Sequence, residues 1–327
     1  MIQFDSILKN ELSEFLSIRE VSLSKSAFDH DCYYLKKFDD YLVRCGCCIN
    51  ELTENTIMGW VSSLTGKSSS IANEVIVIRI FLSRLNSIGM QAYIPPVPKV
   101  ADDYVPYIFL DIELDRIFIL ADNITMTKSQ PNPYIQLEYP MVLRMMYGCG
   151  LRIGETLALR MKDVDLDNGV LTLRHTKGEK QRLVPMHISL VLILRSYCMA
   201  MGLIGKTDSS LFPSTSSDTP MSTRTAFHRF ENILKLSDIS LPGRRKHQRG
   251  PCLHCLRHVF TFKSFAKAEK DGRGINDSVP YLSIYLGHDS LKETEKYLKF
   301  SSEMYPEAME LFEDYTAQIF PEVDYEA

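Results

Sequence analysis

Residues 286–300 read LGHDSLKETEKYLKF. His288 stands nine residues before Tyr297, with a short helical run between them, and Lys296 and Lys299 flank the tyrosine. A tyrosine in such a stretch either packs as a buried aromatic, here against Leu291 and Leu298, or uses its hydroxyl for chemistry. The choice depends on which other groups the chain can bring to it.

The chain has 327 residues, room for two domains with full hydrophobic cores. Its composition, 45% hydrophobic and 24% charged, is globular. The most apolar stretch, VIVIRIFLSRL, is interrupted by Arg79 and Arg84 and is too short for a bilayer span. The opening MIQFDSILKNEL lacks a basic-then-apolar signal pattern, so a cytoplasmic protein without a membrane partner is expected. The eight cysteines show no framework spacing and read as reduced thiols. CGCC at 45–48 and CLHCLRH at 252–258 could each offer one pair of zinc ligands, and a zinc-binding regulator is one alternative. The second cluster has a better explanation below, and no metal or cofactor is expected.

Net charge is −4, an unpromising value for a nucleic-acid protein. The distribution matters more. Eight acidic residues and no Lys or Arg lie beyond residue 300, so the preceding chain carries 37 basic against 33 acidic residues. Residues 170–263 hold 15 basic against 5 acidic, which suggests one positive face.

The first hundred residues read as helices. Phe28, Leu35, Phe38 and Leu42 recur at helical spacing, Thr53 opens a stretch through Trp60 and Leu64, and Ile71, Val75, Ile78, Leu82 and Leu85 share one face. A first helix should begin close to Met1, which leaves no separate module ahead of it. IPPVPKVADD cannot continue a helix, is too polar for a core and reads as the linker, with the domain break placed at 101–105. FLDIELDRIFILAD and PYIQLEYPMVLRMMYGCG predict further helices, followed by a short helix in GLRIGETLALRMKDV. VLTLRHT and KQRLVPM predict two strands joined by the turn TKGEK. Helices resume near 189–201, 222–235, 253–267 and 279–286. The tail 303–327 is acidic and carries an amphipathic stripe of Met304, Ala308, Leu311, Phe312 and Tyr315.

Four separated segments hold groups suited to chemistry: Arg152 in GCGLRIGE, Lys177 in TKGEK, His254, Arg257 and His258 in HCLRH, and His288 with Tyr297. Each has a bland reading as a surface ion pair, a solvated turn or a satisfied core histidine. Glu155 reads as structural, orienting a helix end or an arginine. Gathered in space, the set suits a phosphodiester. Two arginines can hold its non-bridging oxygens by paired, charge-assisted hydrogen bonds. A phenol of pKa ~10 needs a cationic pocket and a proton relay to attack. Lys177 could protonate the leaving 5′ oxygen, and the covalent phosphotyrosine would make the step reversible.

In order and spacing these motifs resemble the tyrosine recombinase (phage integrase) family. Its pattern is an arginine in G-L-R-x-x-E, a lysine in a β-hairpin turn, H-x-L-R-H, L-G-H, and a tyrosine about nine residues on. Here these are GLRIGE, TKGEK, HCLRH, LGH and Tyr297. The resemblance is to a two-domain, Xer-like or mobile-element member. It implies a mainly α fold with a small β-sheet, arranged as a two-domain DNA clamp. Residues 1–100 would be a helical core-binding domain, 106–302 the α+β catalytic domain, and 303–327 a tail helix contacting another protomer. It further implies Arg152 and Arg257 as phosphate ligands, Lys177 as general acid, His254 as base or proton relay, His288 as a phosphate hydrogen-bonder and Tyr297 as nucleophile. The partners implied are double-stranded DNA with an inverted-repeat recombination site and further copies of the chain, as a tetramer on two DNA sites. Cys255 replaces a common aspartate, Thr156 a usual leucine, and VFTFKSFA the usual run after His258. None is a catalytic position. A catalytically silent DNA-binding protein on the same scaffold and a type IB topoisomerase-like strand transferase are the other readings.

Overall fold

Amphipathic stretches at helical spacing build the first of two compact units, Met1–Tyr104; the second spans Val105–Ala327. The computed structural model describes residues 2–47, 51–100, 107–125, 132–174, 181–214, 217–239 and 250–295. Lys177, Tyr297, the expected linker 101–105 and the tail 303–327 lie outside these residues.

The first unit contains α1 (Lys9–Ser22), α2 (Lys25–Cys45), α3 (Glu54–Ser63) and α4 (Ser68–Ser87). Leu35, Phe38 and Leu42 of α2 meet Val75, Ile78, Leu82 and Leu85 of α4 in one core. The Phe38 ring stands edge-on to Trp60, with centroids 5.1 Å apart. Ile71 is only half-buried at the start of its stripe. Asp39 is fully buried, and its carboxylate accepts the N–H groups of Asp5 and Ser6 at 2.9 Å and the Lys36 ammonium at 3.1 Å. Those charge-assisted bonds fasten the segment ahead of α1 to α2.

In the second unit α5 (Asp111–Asp122) precedes α6 (Ile135–Cys149), the central helix. Ile135, Tyr139, Val142, Leu143, Met145 and Met146 of α6 are all inaccessible to solvent. A helix apolar on nearly every side needs cover all round, and α5, α7 (Ile153–Ala158), α8 (Ile188–Ala200) and α10 (Cys255–Lys270) pack against it. Tyr139 meets its polar need by donating to the Ala226 carbonyl, 2.7 Å away on α9 (Thr223–Leu236). Ser222 caps α9, its side chain accepting the Thr225 N–H.

Three antiparallel strands lie in sequence order: β1 (Val164–Asp165), β2 (Val170–Leu173) and β3 (Arg182–Pro185). Leu171 pairs with Val184 and Leu173 with Arg182. Cross-strand partners share a face, so Arg182 stands on the same inner face as the buried Leu171, Leu173 and Val184. The sequence reading expected one small sheet. A second occurs, pairing β4 (Pro213–Ser214) with β5 (Ser217–Pro220). These segments are short, polar and proline-bounded, so no alternation marks them.

The last elements among the described residues are α11 (Ile275–Leu286) and the short α12 (Leu291–Glu295). Mainly α with small sheets in two units is the architecture of the chain.

Candidate active site

The chain turns three times around one small volume of the second unit. The first turn ends α6. Gly150 adopts φ +60°, and a Cβ there would collide with the Phe260 ring, so both backbone and space favour glycine. Two residues on, Arg152 starts α7, where its backbone N–H donates to a Glu155 carboxylate oxygen at 3.0 Å. The second turn opens α10, placing His254 at the helix N-terminus and Arg257 in its first turn. The third ends α11 at Gly287, with φ +66°.

That third turn is the meeting point. Arg257 is 1% exposed. It donates to the Gly150 carbonyl at 2.6 Å, the Leu286 carbonyl at 2.8 Å and His288 Nε2 at 3.0 Å. Arg152 donates to the Leu286 carbonyl at 3.4 Å and the Gly287 carbonyl at 3.1 Å. Two guanidiniums thus share one carbonyl oxygen. The Arg152 side chain keeps 28% of its surface open to solvent, so it faces the accessible side of the cluster.

His288 is placed by its ring nitrogens. A guanidinium only donates, so Nε2 accepts from Arg257 and the ring proton sits on Nδ1. Nδ1 then donates to Thr294 Oγ1, 2.7 Å away on α12. Burial first, then the positive charges of Arg257, Arg152 and Arg182, push the His288 pKa down to about 3. The imidazole is neutral at neutral pH. Nitrogen-15 histidine NMR should show the Nδ1–H tautomer with no titration from pH 8 to pH 5, whereas a midpoint in that window would contradict this placement. The sign for stability follows. The unfolded histidine takes up a proton near its ordinary value and the folded one does not, so acidification below that value lowers stability.

Glu155 links the arginines. One oxygen accepts from Arg152 Nη1 at 2.9 Å and from Arg182 Nη1 at 3.0 Å. The other accepts from Arg182 Nη2 at 2.8 Å, and Arg257 Nη1 lies 4.0 Å from it. Burial alone would raise the Glu155 pKa, but the Arg182 hydrogen bonds and the Arg152 backbone N–H outweigh it and hold it below the usual carboxylate range. Thr156, beside it, is buried and donates to the Arg152 carbonyl at 3.1 Å.

Arg152, Arg257 and His288 are therefore in direct hydrogen-bonded contact or share an acceptor. His254 lies one helical turn from Arg257; its ring stands edge-on to His258 with centroids 4.8 Å apart. Lys177 and Tyr297 fall outside the described residues. Sequence reasoning missed Arg182. The available signal was a charged residue in KQRLVPM on the same alternating face as Val184. The Cys252 and Cys255 sulfurs are 3.6 Å apart, and among the described residues no group of three or more His, Cys, Asp or Glu could hold a metal ion. No helix among them is long and apolar enough to cross a membrane.

Residues 121–304 match the model of the phage integrase family. A protein of Sinorhizobium fredii named integrase/recombinase y4rB is 30% identical over 278 residues, covering 80% of this chain and 84% of its own. Tyrosine recombinase XerA of Saccharolobus solfataricus is 25% identical over 262 residues, 76% of this chain and 74% of its own. Among solved structures, XerH site-specific recombinase bound to palindromic difH substrate superposes with a TM-score of 0.67 at 19% identity, covering 88% of this chain and 80% of that one. The Tn1549 transposon integrase in complex with transposon right end DNA gives 0.66 at 14% identity, covering 92% and 98%. At those identities the structural likeness speaks for the fold. The family match spans more than half of the chain and contains every segment that meets at the 286–288 turn, and on that ground this protein belongs to the phage integrase family.

Proposed function

We propose that this protein is a site-specific tyrosine recombinase that cleaves and rejoins DNA through a covalent 3′-phosphotyrosine. The observation that carries the reading is the convergence of Arg152, Arg257 and His288 on the turn 286–288, nine residues ahead of Tyr297. Membership of the family supports it.

In this reading Arg152 and Arg257 hold the non-bridging oxygens of the scissile phosphate. Their forks match a tetrahedral oxyanion and stabilise the charge that grows on it. The Tyr297 oxygen attacks phosphorus, the bond to the 5′ oxygen breaks, and that oxygen takes a proton from Lys177. The tyrosine proton passes to His254. Attack by a 5′-hydroxyl on the phosphotyrosine reverses every transfer and rejoins the strand. His288, with Nε2 accepting from Arg257, acts on the phosphate by fixing that guanidinium. A direct hydrogen bond from Nε2 to a phosphate oxygen requires the other tautomer and release of Arg257.

The substrate proposed is double-stranded DNA with an inverted-repeat site, bound by a tetramer on two such sites during integration, excision or resolution. A tetramer bound to a Holliday junction is known for lambda integrase, whose structure has this fold. Residues 1–100 would serve as the core-binding domain. The acidic tail 303–327 would face away from DNA and contact a neighbouring protomer.

The test uses nicked duplexes tiled across the DNA that flanks the gene. A detergent-resistant protein–DNA adduct on one tile, mapped to Tyr297 by mass spectrometry, is expected. Duplex binding without any adduct would favour a silent DNA-binding protein, and relaxation of any supercoiled plasmid would favour a topoisomerase-like strand transferase.

Lys177→Ala should be repaired selectively by a better leaving group. A 5′-bridging phosphorothiolate departs without a proton, so it should return cleavage to the alanine variant and leave the Tyr297→Phe variant inactive. Equal responses would reduce Lys177 to a phosphate contact.

A further inference from the structure

We infer that Arg182 is a positioning residue for cleavage: it cancels the charge of Glu155 and so keeps the Arg152 guanidinium available to the phosphate. The inference rests on the recombinase reading and adds to it a residue that never touches the reacting atoms.

Glu155 raises the problem. It is a carboxylate with a side chain 5% exposed, and its Oε1 lies 2.9 Å from the Nη1 of the more accessible phosphate-facing arginine. In a site of low effective dielectric, an unbalanced anion there would hold Arg152 to itself and repel an incoming phosphate. Arg182 answers with a full fork, Nη1 and Nη2 reaching one oxygen each at 3.0 and 2.8 Å. Its own side chain is 10% exposed. That two-point geometry is specific to a planar guanidinium.

The charges then add up in favour of the reaction. Arg152, Arg182 and Arg257 against Glu155 leave a net charge of two positive, with His288 neutral. A phosphodiester carries about one negative charge, and attack by phenolate gathers about two on the oxygens the arginines hold. Without Arg182 only one positive charge would remain.

Arg182 is also built into place. Pairing opposite Leu173 turns its side chain inward from β3. Its Nε donates to the Tyr285 carbonyl at 2.9 Å, one residue before the carbonyl that Arg152 and Arg257 share. The approach to the turn is so close that a Cβ on Gly287 would lie 2.7 Å from Arg182 Nη1. Only a glycine there leaves space for the fork.

Two substitutions separate charge cancellation from simple propping. Single-turnover adduct formation is measured on the nicked duplex that the wild-type protein cleaves. Arg182→Met should slow it about 10²-fold, the scale of losing one oxyanion donor, while duplex binding in gel shifts changes by less than about threefold. Adding Glu155→Gln removes the anion that Arg182 neutralised, and the double variant should recover about tenfold or more over Arg182→Met. A structural prop would give no recovery, since the bond to Tyr285 stays lost. Arg182→Lys, with the charge but no fork, should fall between wild type and Arg182→Met and covers the case in which methionine unfolds the chain. Undiminished cleavage by Arg182→Met, or a double variant no faster than the single, overturns the inference. A wild-type protein that forms no adduct on any tile overturns the recombinase reading, and the role of Arg182 falls with it.

Discussion

Tyr297→Phe is expected to abolish adduct formation, with duplex binding within about twofold of wild type. The change removes one hydroxyl and preserves the ring, so packing and charge are retained. The loss should be complete rather than graded, because the hydroxyl removed is the group that forms the covalent bond to phosphorus. The expectation rests on sequence position: Tyr297 follows LGH by the spacing of the family nucleophile, beyond α12. Denaturing gels of nicked duplex incubated with each protein read the adduct directly. An adduct of undiminished yield with the phenylalanine variant would place the nucleophile elsewhere.

Arg257→Ala should have the second-largest effect, and on two quantities at once. Catalysis should fall by about 10²-fold or more through loss of a phosphate donor. Stability should fall by ~3 kcal/mol, because the buried guanidinium has three acceptors and its removal leaves them without that donor. Arg257→Lys should restore little of either. One ammonium on a flexible stem cannot reach Gly150, Leu286 and His288 together. Urea unfolding and single-turnover cleavage measure the two separately. A variant as stable as wild type would mean that the turn 286–288 does not depend on Arg257. Arg152→Ala should differ in kind: its side chain is partly open and its bonds to Leu286 and Gly287 are longer, so cleavage should fall with a smaller stability loss.

Much of this protein was legible in its sequence. The helical stripes of α2 and α4 and the glycine stop after α6 follow from local periodicity and backbone preference, which adjacent residues reveal. The order of GLRIGE, TKGEK, HCLRH and LGH by itself points to phosphodiester chemistry and to a family. The two short strands β4 and β5 were not legible, since two or four polar residues between prolines carry no period.

The site's wiring was decided only by the tertiary structure. Arg257 reaches the carbonyl of Gly150 and Arg152 those of Leu286 and Gly287, across separations of 107, 134 and 135 residues. Every residue has a carbonyl, so such acceptors leave no mark in a sequence. The tautomer of His288 depends on which groups meet its two nitrogens, and the work of Arg182 depends on a strand register that turns it toward Glu155. Sequence named the chemical groups because side-chain identity is local; the fold decided which of them hold one another, because hydrogen bonds and charge act through space.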